Sequence, residues 1–153
     1  MQRVSFGIIV NYLVAYLLQP YEKSKIAKAY EQSKISKDVF KQLQGITNQR
    51  TKKKILIWLH AESLTQADNF NEIISYFEDK KDVGFLLTTE ERHIKQQFHM
   101  PGIYQCLPLD HPTFVRQFID HWKPNSLVWL SDRIRPILLH RVAKSNILSL
   151  IHI

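Results

Sequence analysis

Three side chains that could do chemistry stand together in the segment IWLHAESLTQ, residues 57–66. His60, Glu62 and Ser63 supply a titratable ring, a carboxylate and a hydroxyl, the groups used in proton transfer and nucleophilic catalysis. They follow a short apolar run and directly precede a helix-forming pattern that begins at Leu64. The same side chains could instead only cap that helix, because they can accept hydrogen bonds from its first free backbone N–H groups. Both interpretations stay open on this segment alone.

Several familiar kinds of site are missing from the sequence. The four glycines form neither a GxGxxG nor a GxxxxGK[ST] pattern, and no GxSxG motif surrounds Ser63. This argues against a nucleotide-binding fingerprint and against a hydrolase nucleophile elbow. The single Cys106 has no disulfide partner, and no Cys/His cluster has the spacing of a zinc site. We therefore predict no metal site and a cytosolic or cytosol-facing location.

The elements that must position these groups follow from the hydropathy pattern after residue 54. Short apolar runs rich in β-branched residues alternate with helical patterns, which predicts βαβ units and a parallel sheet. The predicted fold class is α/β, a Rossmann-like parallel sheet with flanking helices. In such sheets ligands bind beyond the carboxyl ends of the strands. Four predicted strand ends should therefore meet at one edge: residues 60–63, 88–90, 108–110 and 131–133.

The N-terminal third has a different character. Residues 4–21 are apolar, interrupted by Asn11 and closed by Pro20, and too short to cross a bilayer as a helix. They predict a helix lying in the membrane interface, with a buried helix of a soluble core as the alternative. A lysine-rich, helical lead-in with a possible break near Ser33 follows. The predicted organisation is an anchor helix at 1–21, a basic lead-in at 22–54 and a Rossmann-like domain at 55–153.

The formal net charge of +7 predicts an anionic partner. Because the positive charge is concentrated beside the apolar helix, an anionic membrane surface fits it better than nucleic acid does. We therefore predict a membrane surface as partner and no nucleic acid. The sequence leaves the oligomeric state open.

Four strand-end motifs in order resemble those of one enzyme family. They are IWLHAESLTQ at residues 57–66, LLTTEE at 86–91, LPLDHPTFVRQFIDHWKP at 107–124 and SDRIRP at 131–136. Together they resemble the N-terminal domain of the Kdo transferases, which move 3-deoxy-D-manno-octulosonic acid (Kdo) from CMP-Kdo onto lipid A in lipopolysaccharide biosynthesis. The resemblance implies the acceptor-side half of a GT-B glycosyltransferase at the cytoplasmic face of the bacterial inner membrane. It implies a lipid A-type acceptor, CMP-Kdo as donor substrate and no cofactor.

The resemblance also assigns residues to roles. The family's general-base glutamate falls on Gln66, whose amide cannot take up a proton at neutral pH. The two glutamates of the family's E-T-E-L-W-P motif fall on Ser131 and Arg133. The residues expected to bind the acceptor are His60, Ser63, Thr88 and Arg133, and cations such as Lys52 and Arg92 could face its phosphates.

These departures lead to two functional expectations. The first is the acceptor-side domain of a Kdo-transferase-like enzyme, inactive as this chain because the donor-binding half is absent. The alternative is a non-catalytic, membrane-associated interaction domain that keeps a degenerate glycosyltransferase fold. The closing residues 148–153 look like translated sequencing adapter, which predicts a truncated reading frame.

Overall fold

A five-stranded parallel sheet forms the centre of the protein. The computed structural model describes residues 6–47, 49, 51–91 and 100–152, with only the backbone at 151 and 152. The strands are β1 (Ile55–Ala61), β2 (Val83–Thr89), β3 (Ile103–Cys106), β4 (Ser126–Leu130) and β5 (Leu148–His152). Their order is β3-β2-β1-β4-β5 and every neighbouring pair is parallel, which confirms the predicted α/β class.

Six helices accompany the sheet in the part of the chain just defined. They are α1 (Phe6–Glu31), α2 (Lys37–Leu43), α3 (Leu64–Ala67), α4 (Asn71–Tyr76), α5 (Pro112–Trp122) and α6 (Pro136–Ala143). The continuous helix predicted over residues 64–79 is divided by a 3-10 turn at Asp68–Phe70. Asp68 and Asn69 lie in this turn, and such side chains compete for backbone hydrogen bonds and weaken a helix. The helix predicted over residues 90–97 lies mostly outside the described residues.

The sheet buries an apolar cluster on each face, because successive side chains of a strand point to opposite sides. Trp58 of β1 packs with α5, where the ring of Phe118 lies 4.9 Å away, and with α6. Leu59 of the same strand belongs to the opposite cluster, with Phe70 and Ile74. Six of the seven residues of β1 are buried. The central strand is therefore held from both sides, as its uninterrupted apolar sequence predicts.

Helix α1 is longer and more exposed than expected. It continues through Pro20 instead of ending there, although proline lacks the backbone N–H that continues a helix. One face, including Tyr12 and Ala15, packs against the α5–α6 side of the sheet, yet Ile26 is the one buried residue of the helix. The alternative of a buried core helix is therefore wrong. Ten large apolar side chains remain exposed: Phe6, Ile9, Val10, Leu13, Val14, Tyr16, Leu17, Leu18, Tyr21 and Tyr30.

Among the described residues, no helix combines the length and apolar character needed to span a bilayer.

The basic lead-in packs against the sheet instead of standing apart from it. Ser33 has a left-handed φ of 54°, and Ser36 caps α2 by accepting a hydrogen bond from the Val39 N–H. Helix α2 then joins Ile26 and Cys106 in a third apolar cluster. After α2 the chain turns at Gly45 (φ 74°), where a side chain would collide with the backbone carbonyl of Phe114.

Candidate functional site

Ion pairs join the carboxyl ends of the strands, as the predicted convergence requires. Arg133, after β4, lies with its Nε 2.6 Å from Oε1 of Glu62, after β1. Arg135 makes a two-pronged contact with Glu90 at the end of β2, through Nε and through a second, shorter bond from Nη2. Side-chain exposure is only 23% for Arg135 and 14% for Glu90, against 62% for Arg133. The pair of Arg135 with Glu90 is therefore largely shielded from water, whereas the pair of Arg133 with Glu62 is open to solvent.

Asp110 fixes the beginning of α6 from the end of β3. Its carboxylate accepts hydrogen bonds from the backbone N–H groups of Leu138 (2.9 Å) and Ile137 (3.2 Å). Helix α6 has no capping side chain of its own, so Asp110 satisfies the free N–H groups from another element. Burial raises the pKa of the Asp110 carboxyl, and the two N–H donors oppose that rise. Together with Glu90, Asp110 holds the segment that carries both arginines.

A cleft of about 530 Å³ lies between α1 and these strand ends. Helix α1 supplies an apolar wall that includes Val14 and Leu18. The charged groups that line the cleft are Glu22, Glu90, Asp110, Arg133 and Arg135. Three carboxylates against two guanidinium groups make a mixed polar surface instead of the basic phosphate site expected for this edge. Such a surface suits the hydroxyl groups of a polar ligand beside an apolar chain.

His60 and Thr88, both predicted to bind an acceptor, are fully buried beneath this cleft. The Thr88 hydroxyl accepts a hydrogen bond from Nε1 of Trp58 (2.8 Å) and lies 3.0 Å from Nδ1 of His60. The ring centroids of His60 and Trp129 are 3.9 Å apart. Burial, and then the charge of Arg135, lower the pKa of His60 to about 3, so the ring is neutral. In this conformation both residues support the strand ends and offer no atom to a ligand.

Ser63 and Gln66 form the first turn of α3. The Ser63 hydroxyl accepts a hydrogen bond from the Gln66 N–H (3.2 Å), and the Gln66 side-chain oxygen accepts one from the Glu62 N–H (2.7 Å). This is close to a capping box, in which two side chains satisfy the N–H groups of a helix start. The capping interpretation of this segment is confirmed for Ser63. Gln66, like Ser63, therefore has a structural partner in this turn.

The structure thus brings together some of the predicted residues and separates others. Arg133 lines the cleft, whereas Lys52 precedes β1 and lies at the opposite end of the parallel sheet, so it cannot serve the same site. Arg92 lies outside the described residues. The charged groups of the cleft to which sequence reasoning gave no role are Glu22, Glu90, Asp110 and Arg135, although Glu90 and Asp110 lie in strand ends that were expected to converge. Asp110 stood in the LPLDHP motif, but nothing in the sequence pairs Glu90 with Arg135.

In the described ranges, no group of three His, Cys, Asp or Glu residues is placed to hold a metal ion.

Comparison with known proteins agrees with the strand-end motifs. The family described as "3-Deoxy-D-manno-octulosonic-acid transferase (kdotransferase)" matches residues 26–152. A "Probable 3-deoxy-D-manno-octulosonic acid transferase, mitochondrial" of Arabidopsis thaliana is 33% identical over 89 residues, which are 55% of this chain and 20% of that protein. A "3-deoxy-D-manno-octulosonic acid transferase" of Rickettsia typhi is 25% identical over 101 residues, 63% of this chain and 22% of that protein.

A third relative, from Rickettsia bellii and of the same name, is 25% identical over 116 residues, covering 71% of this chain and 27% of its own length. The chain therefore spans about a fifth to a quarter of the curated relatives it matches. No solved structure matches it significantly. Because the family match covers most of the chain, including all five strands of the sheet, the protein belongs to the 3-deoxy-D-manno-octulosonic acid transferase family, to the part that forms its N-terminal domain.

Proposed function

We propose that this chain is the acceptor-side domain of a glycosyltransferase that transfers Kdo from CMP-Kdo to a lipid A-type acceptor. The observation that carries the proposal is the cleft between the apolar wall of α1 and the charged strand ends. An acyl-bearing sugar needs both surfaces, one for its chains and one for its hydroxyl groups. Because the chain spans about a fifth to a quarter of its curated relatives, we propose that the donor binds outside the matched residues and that transfer belongs to the protein of the longest reading frame.

The acceptor hydroxyl must lose a proton when it attacks the sugar, and the position of the family's base holds Gln66. An amide has no group that accepts this proton at neutral pH, and the Gln66 oxygen is already hydrogen-bonded to the Glu62 N–H. The neighbouring Glu62 carboxylate is paired with Arg133. Catalysis by the unaltered sequence would therefore need a different base: Glu62 released from Arg133, another carboxylate that lines the cleft, or a group from another domain.

The test compares Kdo transfer by the protein of the longest reading frame that encodes this chain with transfer by its Gln66→Glu variant. Purified protein is incubated with CMP-Kdo and a lipid A precursor, and the product is measured by mass spectrometry. We expect the variant to be faster by about 100-fold or more, because a positioned general base contributes about 10²–10⁴-fold. The substitution keeps the size of the side chain and its capping oxygen, so the fold is expected to remain intact.

Two other results would contradict this assignment. Equal transfer by both proteins would mean that another residue serves as the base. No transfer by either would favour the alternative, a non-catalytic membrane-associated domain with a degenerate glycosyltransferase fold. The ion pair of Arg133 with Glu62 is the observation that favours this alternative, since Arg133 stands at a position where the family pattern has an acid.

We further propose that α1 holds the domain on the cytoplasmic face of the bacterial inner membrane. Large apolar side chains are exposed along the helix, with Leu17 at 79%. Lys23, Lys25 and Lys28 follow them on its exposed C-terminal turns. Apolar side chains that enter the acyl boundary, followed by lysines that meet anionic headgroups, are the two contributions to interfacial binding.

Vesicle binding tests this second proposal on the chain itself. Leu17→Asp is expected to weaken co-sedimentation with vesicles of phosphatidylcholine and phosphatidylglycerol by about 30-fold, since burial of one leucine contributes about 2 kcal/mol. Leu148→Asp is the matched control, because Leu148 on β5 is also highly exposed, at 78%. Equal losses in both variants, or no binding by the unaltered chain, would contradict an α1-specific membrane contact.

A further inference from the structure

Helix α1 forms one wall of the cleft, yet few contacts attach it to the rest of the domain. Six of its residues line the cleft opposite the strand ends: Asn11, Val14, Ala15, Leu18, Gln19 and Glu22. Its one buried residue, Ile26, lies near its C-terminal end, whereas the N-terminal half is at most half-buried. Among the described residues, no salt bridge joins α1 to another element. The N-terminal half of α1 is therefore held by the packing of Tyr12 and Ala15 and by ring contacts, while Lys23 lies over the Phe114 ring nearer its C-terminal end.

Two tyrosine–histidine contacts fasten the N-terminal half of α1. The Tyr12 hydroxyl lies 3.2 Å from Nδ1 of His140 on α6, and the two rings meet edge to face. One turn later, the ring of Tyr16 meets that of His111 edge to face, with 5.2 Å between centroids. Single contacts of this kind contribute about 1 kcal/mol each, so a moderate competing interaction can displace them.

The C-terminal end of α1 is anchored, and Pro20 weakens the helix before this anchor. Between α1 and α2 the chain turns over residues 32–36, and Ile35 and Leu43 beyond the turn are buried in the cluster that includes Ile26. Ile26 therefore fixes the last turns of α1, and the part that can move lies before it. Pro20 lacks the backbone N–H that continues the helix hydrogen bonds, and helices bend most readily at proline.

We propose that the part of α1 before Pro20 is a lid over the cleft, hinged at Pro20 and latched by Tyr12 and Tyr16, and that an anionic lipid surface opens it. In the closed state the half-buried face of α1 covers the site. On a lipid surface that face exchanges the protein for acyl chains and the outer face gains burial as well, which offsets the apolar surface that opening uncovers beside α5 and α6. Opening exposes Asp110 and Arg135 on the side from which a lipid ligand would arrive. This inference rests on the proposed membrane contact of α1.

Energy transfer from tryptophan to a dye on α1 measures the opening. All three tryptophans, Trp58, Trp122 and Trp129, are buried beside the sheet, and α1 contains none. A cysteine introduced at the exposed position Leu13 can be labelled selectively, because Cys106 is buried. In the closed chain the transfer is expected to be high. It is expected to fall when vesicles of phosphatidylcholine and phosphatidylglycerol are added.

The latch is tested without lipid by the double substitution Tyr12→Ala and Tyr16→Ala, which should reduce transfer in solution. Ile9→Ala with Leu17→Ala is the matched control, since both side chains face solvent and their loss should leave transfer unchanged. Circular dichroism checks that all variants fold.

Co-sedimentation of the same samples separates this proposal from the one on which it rests. Undiminished transfer in vesicle-bound protein overturns the lid and leaves the membrane proposal standing. If the chain does not sediment with vesicles, the membrane proposal fails and lipid-driven opening fails with it. Unchanged transfer in the latch variant likewise overturns the latch.

Discussion

Replacing Arg135 by methionine is expected to lower the free energy of unfolding by about 3 kcal/mol, because it leaves the Glu90 carboxylate buried without its partner. Glu90 is only 14% exposed, and each of its two carboxylate oxygens accepts a hydrogen bond from Arg135. Urea unfolding of the two proteins measures the difference. The double variant Arg135→Met with Glu90→Gln should lose less than the sum of the single losses, since no unpaired charge is then left inside.

A second ion pair in the same protein is the control for this prediction. Nη2 of Arg141 lies 3.3 Å from Oδ1 of Asp120, and the two side chains are 43% and 58% exposed. Arg141→Met should therefore lower the free energy of unfolding by no more than about 1 kcal/mol. Added salt should weaken this surface pair and hardly affect the pair of Arg135 with Glu90. Equal costs for Arg135→Met and Arg141→Met would show that the Glu90 pair is hydrated and does not hold the strand ends together.

Acidification is expected to destabilise the protein through His60. Its pKa in the folded protein is lowered to about 3, chiefly by burial, whereas an unfolded histidine titrates near 6.5. Between about pH 3 and pH 6.5, His60 is protonated in the unfolded chain and neutral in the folded protein. The stabilisation is therefore complete above pH 6.5 and is lost as the pH falls towards 3, by about 1.4 kcal/mol per pH unit.

Urea unfolding at several pH values between 7 and 4 tests this expectation. His60→Gln should remove the contribution of His60 and flatten the pH dependence by about one proton. His121→Gln is the matched control, because the His121 ring is only partly buried and contacts the backbone carbonyl of Gln49 in the lead-in. If His60→Gln and the unaltered chain show the same slope, the His60 ring is protonated in the folded state and the assigned burial is wrong.

The parallel sheet could be predicted because its evidence is local. Ile55 to Leu59 is an uninterrupted apolar run, and each later strand is separated from the next by a helical pattern. The end of α1 could not be predicted in the same way. Pro20 normally interrupts a helix, but its ring lies on the solvent side and the helix continues. Whether a helix survives one lost hydrogen bond depends on packing along the rest of its length, here Tyr12 and Ala15 in the first cluster and Ile26 in the third, which the sequence around Pro20 does not specify.

The site shows the same division between local and distant information. The strand ends were expected to converge, and the capping role of Ser63 was open from the sequence. The ion-pair partner of Arg133 could not be predicted, because it depends on the register between β1 and β4. Ala61 pairs with Leu130, and this places Glu62 beside the segment that follows β4. The burial of His60 and Thr88 also follows from neighbours far away in sequence. The pattern named these residues without showing that they lie beneath the cleft.

The close packing of Gly45 against α5 limits how segments of this protein can be exchanged with those of related proteins. The backbone of the lead-in contacts the Phe114 carbonyl at this point, and the Leu109 N–H donates a hydrogen bond to the Leu43 carbonyl nearby (2.9 Å). A chimaera that joins this lead-in to the sheet of another protein must therefore reproduce the path of the α5 backbone as well as its sequence. Recombination junctions placed after residue 47 would separate surfaces that fit only each other. Junctions that keep residues 6–47 with α5 would preserve them.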